Sequence, residues 1–167
     1  MLDVVKKPDY ARVQRVVRGL HSEFDVTAPP VNPVEIARSK GFKVLFVEFS
    51  GEANNISGFY DFDEQTIYVN RDEYPLRQTF TVAHELGHAL LHVEWASSDQ
   101  YRILLRDSEY GGNDPYEKEA NAFAAHLLVP RFLLDQYWQS NSVESLSRLF
   151  AVSVPMIKNR LSFEYGV

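Results

Sequence analysis

Apolar residues recur every three or four positions along much of the chain, which is the spacing of one face of an α-helix. Val13, Val16, Val17 and Leu20 follow this spacing and predict a helix over residues 9–22. A short helix is predicted over 34–39, with Asn32 as its N-cap and Pro33 at its first position. Further predicted helices cover residues 75–92, 116–129 and 131–138, and two more share 142–161, with a turn near 151–153.

Three short segments are instead rich in Val, Ile and aromatic residues, which is typical of β-strands. They cover residues 42–49, 57–62 and 66–70, and the turn at 61–65 predicts that the last two form an antiparallel hairpin. Residues 51–55 are predicted to be a loop. The order of helices, a small antiparallel sheet and then further helices predicts an α+β fold.

Composition narrows the class of protein. The chain has 167 residues, a net charge of −6 and 45% hydrophobic residues, which fits one soluble domain and disfavours broad attraction to nucleic acid or anionic membranes. It contains no cysteine, so any metal site must use His and carboxylate ligands. The N-terminus lacks the apolar core of a secretory signal, and we expect a cytoplasmic protein.

The segment His84–His88 reads His-Glu-Leu-Gly-His within the predicted helix over 75–92. Side chains four residues apart lie on one face of a helix, so His84 and His88 can bind one zinc ion and leave positions for a third ligand and water. Glu85 is then placed as the general base that activates this water for attack on a peptide bond. The alternative is a pair of structural histidines, but two imidazoles and a carboxylate are costly to bury in so apolar a helix.

The third metal ligand must come from another part of the chain. His92 lies about 12 Å from His84 along the helix axis, too far to share a metal, and we expect it to pack or hydrogen-bond at the helix end. The metzincin pattern requires a histidine six residues after His88, where this chain has Glu94.

A carboxylate on the predicted helix over 116–129 is the better candidate. Glu119 lies beside the apolar face of that helix, whereas Glu117 lies ~200° around the helix and is predicted to point to solvent. The residues that define this apolar face include Ala120, Phe123 and Leu127. We therefore predict His84, His88 and Glu119 as the metal ligands.

Two alternatives on this helix stay open on the residues alone. Glu119 can instead be an exposed residue that balances the charge of Lys118. His126, two turns after Glu119, can line the site or be a buried polar residue.

Several segments together resemble the ImmA/IrrE metallo-endopeptidases. Residues 77–92 are similar to the family's metal-binding helix, and residues 119–130, Glu-Ala-Asn-Ala-Phe-Ala-Ala-His-Leu-Leu-Val-Pro, to its second hallmark. Residues 56–60 and 66–70 resemble its hairpin. His126 is a departure, since a carboxylate commonly occupies that place in the family.

The resemblance implies a zincin-like, gluzincin-type fold in which His84, His88 and Glu119 bind Zn2+ and Glu85 is the catalytic base. It implies a protease that cleaves a helix-turn-helix repressor of the Xre type, or that pairs with an antitoxin-like regulator. The donor that stabilises the transition state is left open between Tyr110 and Tyr116.

The C-terminal residues resemble a helix-turn-helix, so we divide the chain into a peptidase domain over 1–140 and packed C-terminal helices over 141–167. Lys158 and Arg160 alone give little support for DNA binding, and structural packing or docking of a protein partner is favoured over direct DNA reading. Two rival functions remain: a toxin-like, non-proteolytic partner-binding protein with a structural zinc site, and a transcription factor that uses the C-terminal helices.

Overall fold

The computed structural model of the protein describes residues 6–101, 103–105 and 114–167. The described residues form eight α-helices: α1 (Tyr10–Glu23), α2 (Pro33–Ser39), α3 (Pro75–Leu91), α4 (Val93–Ala96), α5 (Pro115–Leu128), α6 (Arg131–Tyr137), α7 (Val143–Phe150) and α8 (Val154–Tyr165). They also form four strands: β1 (Lys43–Val47), β2 (Ile56–Asp61), β3 (Thr66–Asn70) and β4 (Leu104–Leu105). The α+β class predicted from the sequence is confirmed.

Local sequence signals fix where several helices begin. The side chain of Asn32 accepts hydrogen bonds from the backbone of Val34 and Glu35, as its predicted role as the N-cap of α2 requires. Asp114 does the same for α5, accepting from the backbone N–H groups of Tyr116 and Glu117. The second cap places Glu117 in the first turn of its helix.

The four strands form one sheet in the order β1-β3-β2-β4. The predicted hairpin is present, because β2 and β3 pair antiparallel with Tyr60 opposite Ile67. The sheet is mixed, however, since β1 pairs parallel with β3, whereas we predicted an antiparallel sheet. Residues 51–55, predicted as a loop, form a single 3-10 turn between β1 and β2.

The centre of the molecule is α3, which packs on the sheet through β2 and β3 and on α5 from another side. Gly87 permits the close approach of α3 to α5. A Cβ atom at this position would lie 3.0 Å from the ring of Phe123, which is fully buried. Position 87, directly before His88, is therefore occupied by glycine because the neighbouring helix fills the space.

We expect Gly87→Ala to destabilise the protein by about 1–3 kcal/mol, because the Phe123 ring must shift within a packed core. The free energy of unfolding from urea denaturation measures this effect. Gly19→Ala is the matched control, since a Cβ atom added to Gly19 on α1 would meet no other atom within 4 Å. There the better helix propensity of alanine is expected to stabilise by up to about 1 kcal/mol. Equal effects at the two positions would contradict the close packing of α3 on α5.

The C-terminal helices α7 and α8 meet at a turn where Ala151 has a φ of 55°, and α8 packs on α5. Arg160 is 3% exposed and donates to the carbonyl of Val129 and to Glu164. It is therefore held inside the fold and is not free to contact phosphates, which weakens the case for DNA binding by α8.

The division of the chain into a peptidase domain over 1–140 and C-terminal helices over 141–167 stays a prediction.

Within the described ranges, no helix is both long and apolar enough to span a membrane.

Candidate metal centre

Helix α3 brings His84 and His88 together on its buried face. Their rings meet edge to face with centroids 4.8 Å apart, and their side chains are 1% and 0% exposed. The carboxylate of Glu117 on α5 faces both rings, with Oε2 3.2 Å from His84 Nε2 and Oε1 3.0 Å from His88 Nε2. These three residues form a group of potential metal ligands whose donor atoms lie within 4.8 Å of one another.

The structure thus brings Glu117 to the two histidines where the sequence analysis placed Glu119. The Glu119 carboxylate faces a different set of groups: Oε2 lies 2.8 Å from His92 Nε2, and Oε1 lies 3.2 Å from the ammonium of Lys6. Glu119 is buried, so it is not the exposed partner of Lys118 that the alternative interpretation required. The group of potential ligands in the structure therefore differs from the predicted set at this one position.

The prediction that Glu117 points to solvent was wrong, because Glu117 is 8% exposed and only part of the buried face of α5 had been considered. At about 100° per residue, Asn121, Ala124 and Leu128 all lie within about 40° of Glu117 on the helix. Ala124 and Leu128 are fully buried, and including them moves the centre of the apolar face towards Glu117. The helix packs on both α1 and α3, so Glu117 and Glu119 are buried on opposite flanks. The spacing Glu117-x-x-x-Asn121 was a signal that the sequence analysis missed.

The outer nitrogen of each histidine is held by a hydrogen bond. His84 Nδ1 lies 2.8 Å from Asn121 Oδ1, which can only accept, so this nitrogen carries the proton. His88 Nδ1 lies 2.9 Å from His92 Nδ1, and His92 Nε2 lies 2.8 Å from Glu119 Oε2. Because Glu119 accepts from His92 Nε2, His92 Nδ1 accepts in turn from His88 Nδ1. The Nε2 atom of His88 therefore presents a lone pair to Glu117.

This geometry places two acceptors against each other. His88 Nε2 and Glu117 Oε1 are buried and have no hydrogen-bond partner among the described residues, although they lie 3.0 Å apart. Burial lowers the pKa of His88 to about 4, so its ring is neutral. Burial would raise the pKa of Glu117, but the two histidines lower it, and the carboxylate is ionised. Facing lone pairs in a dry site are unfavourable unless a cation lies between them, so the three residues fit a divalent metal ion.

When no metal ion is bound, protonation of His84 supplies positive charge beside the Glu117 carboxylate. Burial opposes protonation of His84, but hydrogen bonding to Glu117 and the charge of Glu85 raise its pKa. A proton on His84 Nε2 competes with a metal ion for the same lone pair, so metal binding is expected to weaken at low pH.

Glu85 lies on the same helix and is fully buried. Its Oε2 accepts a hydrogen bond of 2.8 Å from the hydroxyl of Tyr101, whereas its Oε1 is buried without a partner among the described residues. Burial raises the pKa of Glu85 to about 8, a shift that His84 and Tyr101 oppose. A carboxyl group of this kind is typical of a general base or acid, since its proton affinity lies near neutral pH.

Aromatic residues surround the centre. Trp95 lies 4.7 Å from the ring of His88 and stacks on Tyr116 at 4.9 Å, and Tyr101 lies edge-on to His88 at 6.0 Å. Tyr101 was missed by the sequence analysis because it lies in an irregular segment without a motif. Tyr116, one predicted donor, borders the centre through His92 and Trp95; Tyr110, the other, lies outside the described residues.

The remaining histidine that the sequence singled out lies elsewhere. The ring of His126 packs edge-on against Phe163 of α8, and burial and Arg160 lower its pKa to about 4. His126 therefore belongs to the contact between α5 and α8.

Two histidines on one helix and a glutamate from a second define a zincin-like metallopeptidase. Comparison with known proteins agrees, because residues 39–162 match the peptidase M78 family, described as the IrrE N-terminal-like domain. The chain belongs to this family, the ImmA/IrrE family that the motifs indicated, and this assigns it to the metallo-endopeptidases.

Two proteins are similar to the chain in sequence, and one solved structure is similar to it in fold. The chain is 28% identical over 138 residues to uncharacterized immunity region protein 2 of Bacillus phage phi105, covering 81% of this chain and 80% of that one. It is 40% identical over 81 residues to the radiation response metalloprotease IrrE of Deinococcus deserti, covering 47% of this chain and 27% of that one. A solved Mycobacterium tuberculosis transcriptional regulator shares the fold with a TM-score of 0.67 and 19% identity. That match covers 91% of this chain but only 46% of the regulator.

Proposed function

We propose that the protein is a zinc-dependent endopeptidase that cleaves a helix-turn-helix regulator at a specific site. The observation that carries the proposal is the pair of facing, partnerless acceptors His88 Nε2 and Glu117 Oε1 beside the buried Glu85. A structural metal site does not require a further buried carboxylate with a raised pKa, such as Glu85. A hydrolytic site does require a general base beside the metal.

His84, His88 and Glu117 are the proposed metal ligands. Two imidazole nitrogens and one carboxylate, with a position left for water, form the ligand set of catalytic zinc sites, which favours zinc over manganese. Zinc held there would polarise the scissile carbonyl and lower the pKa of the attacking water. Asn121 and His92 orient the two rings so that both Nε2 atoms present lone pairs to the same point.

Glu85 is the proposed proton carrier. Its Oε1, free of partners in the described structure, takes the proton from the attacking water and passes it to the nitrogen of the leaving amine. Tyr101 holds Oε2, which fixes the direction in which Oε1 points. Since burial raises the pKa of Glu85 to about 8, the carboxylate is ionised at neutral pH only when positive charge beside it offsets the burial.

The enclosure of the site favours a specific substrate over general digestion. His84, Glu85 and His88 are at most 1% exposed, and Glu117 is 8% exposed. Only an extended, locally unfolded segment of a protein can reach such a centre, so cleavage at a linker in a partner is the expected reaction.

A transcriptional regulator of the Xre type, or an antitoxin-like regulator, is the proposed partner. The support is the family resemblance and the similarity to a protein named for a phage immunity region. The acidic net charge of −6 and the buried Arg160 favour contact with such a protein over direct contact with DNA.

The proposal is tested with the purified protein and the helix-turn-helix regulator encoded nearest to its gene. Incubation with zinc should convert the regulator into two fragments of defined mass, and prior removal of metal by a chelator should prevent this. Mass spectrometry of the fragments identifies the bond. An intact regulator under both conditions, with zinc bound at full occupancy, would argue against this substrate.

A further inference from the structure

Residues 6–12 contact two of the elements that surround the metal centre, helix α5 and the end of helix α3. This segment precedes the part of the chain that matches the family. Lys6 Nζ lies 3.2 Å from Glu119 Oε1, and the backbone N–H of Asp9 donates to the same oxygen at 3.2 Å. Arg12 donates to the carbonyl of Leu91 at the end of α3. The matched region begins only at residue 39, so these three contacts are a feature of this chain that the family match does not describe.

Glu119 links this segment to a metal-ligating histidine. Its other oxygen, Oε2, lies 2.8 Å from His92 Nε2, and His92 Nδ1 lies 2.9 Å from His88 Nδ1. Because a carboxylate can only accept, His92 donates to Glu119 and its Nδ1 accepts from His88. Glu119 and His92 are 1% and 3% exposed, so water does not compete for these bonds and they are stronger than their surface equivalents. The two oxygens of Glu119 thus have separate tasks: Oε1 is held by the N-terminal segment, and Oε2 faces His92.

We infer that Lys6, the backbone N–H of Asp9, Glu119 and His92 form a positioning relay that sets the tautomer and the orientation of His88. The inference rests on the proposed role of His88 as a metal ligand and assigns Glu119 a function different from the one predicted for it. A ligating histidine whose outer nitrogen donates to an anionic partner binds metal more tightly. Here the anionic partner is Glu119, which acts on His88 through His92. The orientation of the Glu119 carboxylate depends in turn on its contacts with Lys6 and Asp9.

The three side chains of the relay are expected to contribute to zinc binding to different extents. Loss of His92 leaves the buried Nδ1–H of His88 without an acceptor. Exchange of Glu119 for glutamine keeps an acceptor but removes the charge. Lys6 is 39% exposed in its side chain, so its contribution is screened by salt and is the smallest of the three.

The test is the zinc dissociation constant of the full-length protein, measured by competition with a chromophoric chelator, for His92→Ala, Glu119→Gln and Lys6→Ala. We expect weakening of about 10–100-fold for His92→Ala, about three- to tenfold for Glu119→Gln, and about two- to threefold for Lys6→Ala at low salt. The visible spectrum of the cobalt-loaded protein should change for His92→Ala, because the field of the His88 ligand changes. Lys7→Ala is the matched control, since Lys7 is exposed, and should bind zinc as the parent does.

Thermal unfolding of the metal-free variants separates positioning from general stability. Parental zinc affinity and cobalt spectra in both His92→Ala and Glu119→Gln, whatever their melting temperatures, would overturn the relay. If His92→Ala does not fold, Glu119→Gln decides the question alone, through its affinity. A parent protein that binds no zinc would instead refute the proposed function, so the two failures are distinguishable.

Discussion

Glu117→Gln is expected to weaken zinc binding roughly 10²–10³-fold. The binding free energy of zinc at a site with four ligands is about 10–16 kcal/mol, or about 2.5–4 kcal/mol for each ligand. A change of about 1.4 kcal/mol corresponds to a tenfold change in affinity. The amide of glutamine is neutral and is a poor substitute for the carboxylate that faces His84 and His88 at 3.2 Å and 3.0 Å. Competition with a chelator measures the dissociation constant.

Glu119→Gln is the matched comparison, because it makes the same chemical change two residues away on the same helix. Its weakening should stay below about tenfold, since Glu119 acts only through His92. A large loss for Glu119→Gln together with parental affinity for Glu117→Gln would restore the ligand set predicted from the sequence.

Glu85→Gln is expected to reduce the rate of regulator cleavage about 10²–10⁴-fold, the contribution that general acid–base catalysis makes, while zinc binding is retained. Glutamine keeps the shape of the side chain and a contact for Tyr101, but it cannot take a proton from water. The fragment yield over time measures the rate, and the zinc content of the same sample shows that the site is intact.

This variant also decides between the proposed peptidase and its non-proteolytic rival. A partner-binding protein with a structural zinc site would keep its biological function in Glu85→Gln. Full function of that variant in cells that depend on the protein would therefore contradict the peptidase mechanism.

The sequence predicted most of the fold because the signals for it are local. Asn32 and Pro33 mark the start of α2, and the apolar spacing from residue 75 onward marks α3, both within one residue or two of the observed bounds. His84, Glu85 and His88 could be recognised because a helix fixes their relation without knowledge of the rest of the molecule.

The features that the sequence did not predict depend on how distant elements meet. The parallel pairing of β1 with β3 needs a connection whose path a strand pattern does not contain. The choice between Glu117 and Glu119 depends on α5 being packed on two sides, by α1 and by α3. Tyr101 reaches Glu85 from an irregular segment, where no periodicity indicates the direction of a side chain.

The proposed metal centre consists of His84, His88 and Glu117 around one ion beside Glu85. The most direct measurement is anomalous diffraction at the zinc edge from a crystal of the zinc-loaded protein. We predict a single strong peak about 2.0–2.1 Å from the Nε2 atoms of His84 and His88 and about 2.0–2.2 Å from a Glu117 oxygen. A peak bound by Glu119, or the absence of a peak at the two histidines, would contradict this assignment.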